Sequence, residues 1–228
     1  MANPTVSVII PAINEADHIE SAISSAFRAG AEQVIVVDSG STDQTIERAV
    51  SSGATVINAE RGRANQQNEG AEIACGEILL FLHADCRLGH QCIEQIWQAS
   101  ARGSQHGAFR QSIDNTDRVY RWLEWGNNLR VAWFSMAYGD QAIWVSRLLF
   151  DQVGRFANVP LMEDVKLSEA LRRHRRATLL PGPVYVDSRR WQKNGPIRQT
   201  IRNWGIIARY KLGVSPEKLR KAYRRHDE

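Results

Sequence analysis

Short apolar runs alternate with helix-like stretches along the first ninety residues of the chain. The runs at 6–10, 34–37, 54–57 and 78–82 contain no charged residue, which is typical of strands buried on both faces of a parallel sheet. After the first run, apolar residues recur at helical spacing before Gly30: Ile19, Ala22, Ile23, Ala26 and Phe27. This alternation predicts an α/β fold with a right-handed, Rossmann-like parallel sheet.

Local signals predict where these elements end. Pro11 has no backbone N–H, so we expect the first strand to stop there. Asn14 or Asp17 is expected to cap the next helix, and the turn 39–43 to cap the helix after the second strand. Farther along, the pattern predicts a polar loop and helix at 61–75, helices at 93–97 and 150–156, and strands at 107–110 and 142–145.

Length and composition fit one α/β domain. The chain has 228 residues, 43% of them hydrophobic, which is enough for a substantial core. Its longest apolar runs, of five or six residues, fall far short of the ~20 that cross a bilayer, and no secretory signal is visible. Cys75, Cys86 and Cys92 form no close C-x-x-C pair, which favours reduced thiols over a zinc site. We therefore expect a cytoplasmic protein.

Carboxylates follow three of the predicted strands. Glu15 comes after the first, Asp38 ends the second and Asp85 ends the fourth, while no G-x-G-x-x-G follows the first strand. An acidic sheet edge repels a bare pyrophosphate unless a divalent cation lies between them. The pattern therefore predicts a nucleoside diphosphate held through a metal, with Arg61 and Arg63 contacting its phosphates. The alternative is that Asp38 and Asp43 serve only as turn and cap residues.

Three segments carry a family resemblance: Val8–Glu15, Val36–Thr45 and Phe81–Asp85. Together they resemble the nucleotide-sugar half of family 2 glycosyltransferases, which have the GT-A fold: a Rossmann-like, mostly parallel sheet flanked by helices. The resemblance implies that Asp38 reads the base and that Pro11, Glu15 and Ala84 line the nucleotide pocket. It also implies that Asp85 is the metal carboxylate of a D-x-D step, binding Mg²⁺ or Mn²⁺.

The chain departs from that pattern at two places. His83 stands where the family has the first Asp of the metal step, so His83 is a candidate metal ligand of altered preference. The family's Arg-Asn-x-Gly becomes the segment 67–70, Gln-Asn-Glu-Gly, and Arg61 or Arg63 is expected to replace the missing arginine.

The resemblance also suggests residues on the acceptor side. A Glu-Asp pair opens a helix at this point of the family, and its Asp is the catalytic base; here the pair is Glu163 and Asp164. Without that context the pair could be a cap favoured by the helix dipole. Asp140, Arg190 and Trp191 are expected to contact the acceptor or a phosphate, the last two by partial likeness to a Gln-x-x-Arg-Trp element.

Six aromatic residues crowd the stretch 119–138: Tyr120, Trp122, Trp125, Trp133, Phe134 and Tyr138. Aromatic faces suit sugar rings and apolar acceptors. Because large aromatic side chains usually lie in cores, we expect most of these to be buried.

The C-terminal segment is strongly basic. Residues 189–228 hold twelve Lys or Arg against three acids, a local net charge of +9 against +4 for the whole chain. From Pro196, the apolar residues Ile197, Ile201, Trp204 and Ala208 share one helical face. Such a helix can lie on the inner face of an anionic membrane or pack on the domain with its basic face in solvent. Nucleic-acid binding is not expected, because no recognition module accompanies the charge.

These observations predict a single domain with a nucleotide-sugar half (1–90), an acceptor half (91–195) and a helical tail (196–228). The expected activity is metal-dependent, inverting transfer of a sugar, UDP-linked by expectation, to a hydroxyl acceptor with lipid-like character. Two alternatives remain: a nucleotidyltransferase, or a non-catalytic protein that binds nucleotide sugars or docks on membranes.

Overall fold

A computed structural model describes residues 3–222 of the chain, apart from the side chains of Arg190, Asn194 and residues 221–222. Eight strands are present in this part of the chain: β1 (Val6–Ala12), β2 (Gln33–Asp38), β3 (Thr55–Asn58), β4 (Ile78–Phe81), β5 (Cys86–Leu88), β6 (His106–Ile113), β7 (Ile143–Ser146) and β8 (Thr178–Val186). The helices are α1 (Ile19–Arg28), α2 (Thr45–Ser51), α3 (Arg63–Ile73), α4 (Cys92–Ala101), α5 (Arg118–Phe134), α6 (Arg147–Gln152), α7 (Glu163–His174), α8 (Arg189–Asn194), α9 (Pro196–Lys211) and α10 (Pro216–Ala222).

All eight strands belong to one sheet in the order β3-β2-β1-β4-β7-β6-β8-β5. Strands β3, β2, β1 and β4 are parallel, as the sequence pattern predicts. Strand β7 then pairs antiparallel with both β4 and β6, and β8 pairs parallel with β6 and antiparallel with β5. The predicted α/β class is confirmed, but the sheet is mixed in its second half.

Helices cover both faces of the parallel half of the sheet. Along β1, Val8 and Ile10 pack into the core beneath α1, whereas Ile9 packs on the opposite face with Ala71 of α3. All seven residues of β1 are buried, which explains its continuous apolar sequence. Burial of each such Val or Ile side chain stabilises the fold by roughly 1.5–3 kcal/mol.

Two predicted element ends are wrong. Strand β1 continues past Pro11, because the carbonyl of Ala12 accepts from the backbone N–H of Ser39 at 3.2 Å, a bond that needs no N–H from the proline. Helix α1 begins after His18 without a side-chain cap among the described residues. Asn14, in a left-handed conformation, instead accepts from the N–H of Thr42 across the neighbouring loop.

The expected burial of the aromatic stretch is also wrong. Helix α5 turns Tyr120, Glu124 and Val131 inward, and the carboxylate of Glu124 accepts from the N–H of Ile113 in β6. This orientation leaves four large side chains in solvent, exposed by 59–70%: Trp122, Trp125, Trp133 and Phe134. A helix shows one face to the sheet, and here that face carries the smaller share of its aromatics.

The basic tail packs on the domain, but not through its predicted apolar face. Ile206 of α9 is buried with Leu161 and with Leu219 of α10. Ile197, Ile201 and Trp204 lie 61–64% exposed instead. Among the described residues, no helix has the length and hydropathy needed to cross a bilayer.

We predict that Gly70→Ala destabilises the fold by about 2 kcal/mol through overpacking. A Cβ at Gly70 would lie 2.5 Å from Cγ2 of Ile9 and 2.9 Å from Cγ2 of Val37, so α3 would have to move off the sheet. The free energy of unfolding in urea measures the effect. The control is Gly126→Ala in α5, where a Cβ meets nothing within 4 Å and helix propensity should add up to ~1 kcal/mol. Equal stability of the two variants would contradict the close packing of α3.

Candidate functional site

The loops that follow β1 and β2 are hydrogen-bonded to each other. The backbone N–H of Asn14 donates to the hydroxyl of Ser41 at 2.9 Å, and the N–H of Thr42 donates to the Asn14 side chain at 2.8 Å. The N–H of Glu15 donates to the hydroxyl of Thr45 at 2.8 Å. Two separate sequence motifs therefore build one rigid wall at the carboxyl edge of the sheet.

Asp38 is fully buried at the end of β2 and accepts hydrogen bonds from its own turn. Its carboxylate accepts from the N–H groups of Gly40 at 2.7 Å and Ser41 at 2.9 Å, and from the Ser41 hydroxyl. Burial tends to raise the pKa of Asp43, but hydrogen bonds from Thr45 outweigh it and lower that pKa. In this structure both carboxylates hold the turn, and base reading by Asp38 stays a prediction.

Gln66 is a structural residue of the site that the sequence analysis missed. Its side-chain amide is buried and donates to the carbonyl of Ala12 at 3.0 Å and to that of Val37 at 2.8 Å. It therefore ties together the ends of β1 and β2. One signal was available: Gln66 lies one helical turn before Gly70, on the face of α3 that touches the sheet.

A cavity opens at this edge between the strand ends and the start of α3. It brings together seven of the residues predicted to bind nucleotide or metal: Pro11, Glu15, Arg61, Arg63, His83, Ala84 and Asp85. Asp38 is not among the residues that line it in the described chain.

An arginine from the C-terminal part of the chain pairs with acidic residues that line this cavity. Arg189, at the start of α8, donates to both carboxylate oxygens of Glu15 at 2.7 and 2.9 Å and lies 3.7 Å from Asp85. Burial raises the pKa of Glu15, the Arg189 charge opposes that rise, and the nearby charge of Asp85 adds to it. The sequence pattern points to the neighbouring Arg190 instead. Only the tertiary structure shows which of the two arginines pairs with Glu15.

The other two predictions in this segment have different outcomes. The side chain of Arg190 lies outside the described residues. Trp191 is buried in the core, with its ring perpendicular to that of Tyr120 at a centroid distance of 6.3 Å. Its observed contacts are those of a packing residue between α8 and α5.

The polar step after β4 offers a set of metal donors. Ligand atoms of His83, Asp85 and Cys86 lie within 4.8 Å of one another. A carboxylate suits Mg²⁺ or Mn²⁺, and an imidazole suits Mn²⁺ better than Mg²⁺. The residues present therefore fit a divalent cation, although Cys86 is buried in the core and its thiol lies 3.5 Å from the Asp85 carboxylate.

His83 packs directly against Gly139, the first residue of a short 3₁₀ turn (Gly139–Gln141). A Cβ at position 139 would lie 2.3 Å from Nε2 of His83, so any larger residue there would displace the imidazole. The same glycine donates its backbone N–H to Asp164 at 2.9 Å. One residue thus connects the predicted metal step with the predicted catalytic carboxylate.

Asp164 lies half-buried in the first turn of α7, as predicted. Burial raises its pKa, and the charge of the adjacent Glu163 raises it further, against hydrogen bonds from Gly139 and Val165 and the charge of Arg63. In its ionised form, a carboxylate with a raised pKa is a stronger proton acceptor than an ordinary carboxylate.

A second cavity adjoins the first. Both are lined by Arg63 and His83, and the second adds Glu163, Asp164 and Asp140. Its other wall comes from the tail: Asn203, Ile206 and Ile207 of α9. The amide of Gln111 holds the Asp140 carboxylate at 2.9 Å.

Arg130 is a second residue that the sequence analysis missed. Its guanidinium lies 3.4 Å from the centroid of the Tyr138 ring and donates to the Gln141 side chain at 2.6 Å and to the Met136 carbonyl at 3.0 Å. Arg130 therefore fixes the segment on both sides of Gly139. Nothing in the sequence distinguishes it from the other arginines of the aromatic stretch.

Comparison with known proteins identifies the family of this chain. Residues 7–157 match the family described as Glycosyl transferase family 2. Among curated proteins, the chain is similar to glucosyl-3-phosphoglycerate synthase of Mycobacterium tuberculosis, 35% identical over 96 residues, which are 37% of this chain. That match spans only 30% of the relative, so most of the relative lies outside the aligned region.

Solved structures share the fold at lower identity. The M. tuberculosis glucosyl-3-phosphoglycerate synthase in complex with Mn²⁺, UDP and glucosyl-3-phosphoglycerate gives a TM-score of 0.53 at 23% identity, covering 81% of this chain and 70% of that one. A mannosyltransferase from Pyrobaculum calidifontis in complex with GDP-Man and Mn²⁺ gives 0.61 at 22%, covering 79% and 56%. The predicted GT-A architecture is therefore confirmed.

Replacing Arg189 by Met should destabilise the protein in a pH-dependent way. At pH 8 the ionised Glu15 and Asp85 would lose the positive charge of the guanidinium between them. The free energy of unfolding should fall by about 1 kcal/mol, after allowance for the solvent exposure of Arg189. Because the pKa of Glu15 is raised, lowering the pH to 5 protonates more of it and shrinks the loss. Urea unfolding at both pH values measures this.

The matched control is Arg87→Met. Arg87 pairs with Asp114 where both side chains are more than 40% exposed, so its loss should cost less than ~0.5 kcal/mol at either pH. A loss for Arg189→Met that does not change with pH would contradict the role assigned to Glu15.

Proposed function

Because this chain belongs to glycosyl transferase family 2, we propose that it transfers a sugar from a nucleoside-diphosphate sugar to a hydroxyl acceptor, with inversion at the anomeric carbon. The chain spans about a third of the curated relative described above, so the activity is inferred from the site and the family together.

The arrangement of the two adjoining cavities carries the proposal. The first holds the acidic sheet edge and the metal donors, and the second holds Asp164. Arg63 and His83 line both. A donor whose diphosphate lies in the first cavity would present its anomeric carbon where the cavities meet, and an acceptor in the second could attack from the opposite side. Attack opposite the leaving group inverts the anomeric configuration.

Asp164 is the proposed general base. Its carboxylate accepts the proton of the acceptor hydroxyl while that oxygen bonds to the anomeric carbon and the bond to the diphosphate breaks. The N–H of Gly139 holds the carboxylate in place, and the charge of Glu163 strengthens it as a base. Glu163 itself is buried on the same cavity wall and serves, in this proposal, through its charge.

The leaving diphosphate gains negative charge as the bond breaks. Arg61 and Arg63 line its cavity and can donate to its oxygens. Asp85 and His83 would hold Mg²⁺ or Mn²⁺, which supplies Lewis-acid stabilisation of that charge when bound. Solved neighbours contain Mn²⁺ with UDP or with GDP-Man, and we take UDP as the first donor base to test.

The proposed acceptor is lipid-like, and the proposed site of action is the cytoplasmic face of a membrane. The acceptor cavity combines Asp140 and Asp164 with the apolar side chains of Leu161, Met162 and Ile206. A hydroxyl attached to an apolar chain matches this combination of polar and apolar groups.

Two other activities compete with this proposal. A nucleotidyltransferase would place a glycine- and lysine-rich loop after the first strand, but the residues 11–14 are Pro-Ala-Ile-Asn. A non-catalytic nucleotide-sugar binder has no need for a carboxylate with a raised pKa in the second cavity.

Asp164→Asn should lower transfer by about 10²–10⁴-fold while nucleotide binding is kept, because only the proton acceptor is lost. Turnover of a radiolabelled nucleotide sugar measures the first and calorimetric titration the second. The control is Glu169→Gln, five residues further along α7, which removes a pairing with Lys211 outside both cavities and should leave turnover unchanged. Near-normal turnover in Asp164→Asn would rule out the assignment.

The wild-type enzyme adds two independent readouts. Its rate should fall as the pH drops through the raised pKa of Asp164, because the protonated carboxyl cannot accept a proton. That acid limb should be absent from the residual rate of Asp164→Asn. NMR of the product should show a β-linkage from an α-linked donor, and retention would contradict direct displacement.

UDP and GDP titrated with Mn²⁺ and with EDTA should identify the donor. We expect one nucleotide to bind in the micromolar range with Mn²⁺, and Asp85→Ala to abolish the effect of the metal because it removes the carboxylate donor. Binding equally tight in EDTA would show that the acidic edge does not work through a metal.

A further inference from the structure

We propose that the outer faces of α5 and α9 form a membrane-docking surface that inserts aromatic and aliphatic side chains into the interface of an anionic bilayer. This inference rests on the proposed function in one respect: a lipid-like acceptor would require the protein to bind at a membrane. The surface itself is argued from exposure, charge and position.

The exposed tryptophans of the protein are concentrated on these two helices. The chain has seven tryptophans, and four of them are 59–70% exposed: Trp122, Trp125 and Trp133 on α5 and Trp204 on α9. Tryptophan is costly to leave in water because of its large apolar area, and it prefers the boundary between headgroups and acyl chains. Such a concentration indicates a function for the surface.

On α5 the exposed aromatics form a stripe. Trp122, Trp125 and Trp133 follow one another at three and eight residues, which keeps them within one side of a helix. Phe134, the last residue of the helix, is 62% exposed but points to a different side. The inner side of the same helix holds Arg130 and so fixes the segment around Gly139.

On α9 the exposed side is aliphatic with one tryptophan. Ile197, Ile201 and Trp204 recur at four and three residues and are all more than 60% exposed. The inner side of this helix supplies Asn203, Ile206 and Ile207 to the wall of the second cavity. Helix α9 therefore lines the acceptor cavity with one face and exposes apolar groups with the other, and α5 supports the segment around Gly139 while it exposes its tryptophans.

The charges on these helices select an anionic partner. Helix α9 contains four basic residues and no acidic one: Arg198, Arg202, Arg209 and Lys211, the last of which pairs with Glu169 of α7. In α5 the exposed arginines are Arg118 and Arg121, and Arg121 pairs with Glu124 at 2.8 Å. A basic helix with an apolar face is the arrangement that lies on anionic lipid.

A second copy of the chain is a poorer partner for this surface. A two-fold dimer places the same patch on both sides of its interface, so the arginines of α9 would face those of the other copy. Like charges across an interface oppose association. A bilayer containing anionic lipid neutralises the same arginines while it takes up the apolar side chains.

Co-sedimentation of the full chain with vesicles tests the proposal. We expect binding to vesicles of phosphatidylglycerol and phosphatidylcholine, and at least tenfold weaker binding to phosphatidylcholine alone. Two stripe variants, Trp122→Ser with Trp125→Ser, and Ile197→Ser with Ile201→Ser and Trp204→Ser, should each lower the partition coefficient by about tenfold or more. Arg198→Gln should lower it by about fivefold.

The matched control replaces exposed apolar residues on other helices. Val50→Ser with Leu148→Ser removes side chains that are 58% and 67% exposed on α2 and α6, and it should leave binding unchanged. The wild type also gives a readout that needs no substitution. Its tryptophan emission should shift to the blue on addition of anionic vesicles and be quenched by brominated acyl chains.

Each result decides the question independently of catalysis. UDP titration should be the same in the stripe variants and the wild type, and Asp164→Asn should bind vesicles normally, so a failed sugar-transfer assay leaves this test intact. Absence of wild-type binding to anionic vesicles would overturn the proposal, as would equal binding by the stripe and control variants. So would a solution dimer that dissociates in the stripe variants, because it would show that a second copy covers the surface.

Discussion

The antiparallel insertion of β7 beside β4 is the constraint on which the site depends. Phe81 pairs with Ile143, so the residues that leave β4 pass beside the residues that enter β7. This register brings His83 so close to Gly139 that a Cβ there would displace the imidazole, and Gly139 in turn donates its N–H to Asp164. Metal donors and proposed base are thereby fixed at one point by backbone pairing, which is more rigid than any arrangement of long side chains.

Arginine side chains offset the negative charges that the fold brings together at the site. Five carboxylates line the two cavities: Glu15, Asp85, Asp140, Glu163 and Asp164. The proposed chemistry needs Asp85 and Asp164 in their ionised forms. Arg189 lies between Glu15 and Asp85, and Arg63 lies between the cavities near Asp164. The protein thus keeps an acidic edge for a cation while limiting the repulsion among its acids, and it does so with arginines, which stay charged when partly buried.

The same elements that build the cavities also expose apolar surface outward. Helix α5 supports the segment around Gly139 through Arg130 and turns three tryptophans to solvent. Helix α9 closes the acceptor cavity through Ile206 and exposes Trp204. An acceptor held at a bilayer surface would reach the cavity beside α9, which gives a physical explanation for the apolar outer faces and structural inner faces of these helices.

Local sequence determined the donor half: four charge-free runs predicted β1 to β4, and the polar residues at their ends predicted the first cavity, because parallel strands carry their C-terminal residues to one edge. It could not show that Arg189 meets Glu15, that Gln66 joins β1 and β2, or that Trp122 faces solvent. Those contacts depend on which face a helix turns inward and on strand pairings between residues 96 to 100 positions apart, such as β5 with β8. Periodicity identifies an amphipathic helix, but only the tertiary structure decides which of its faces is covered.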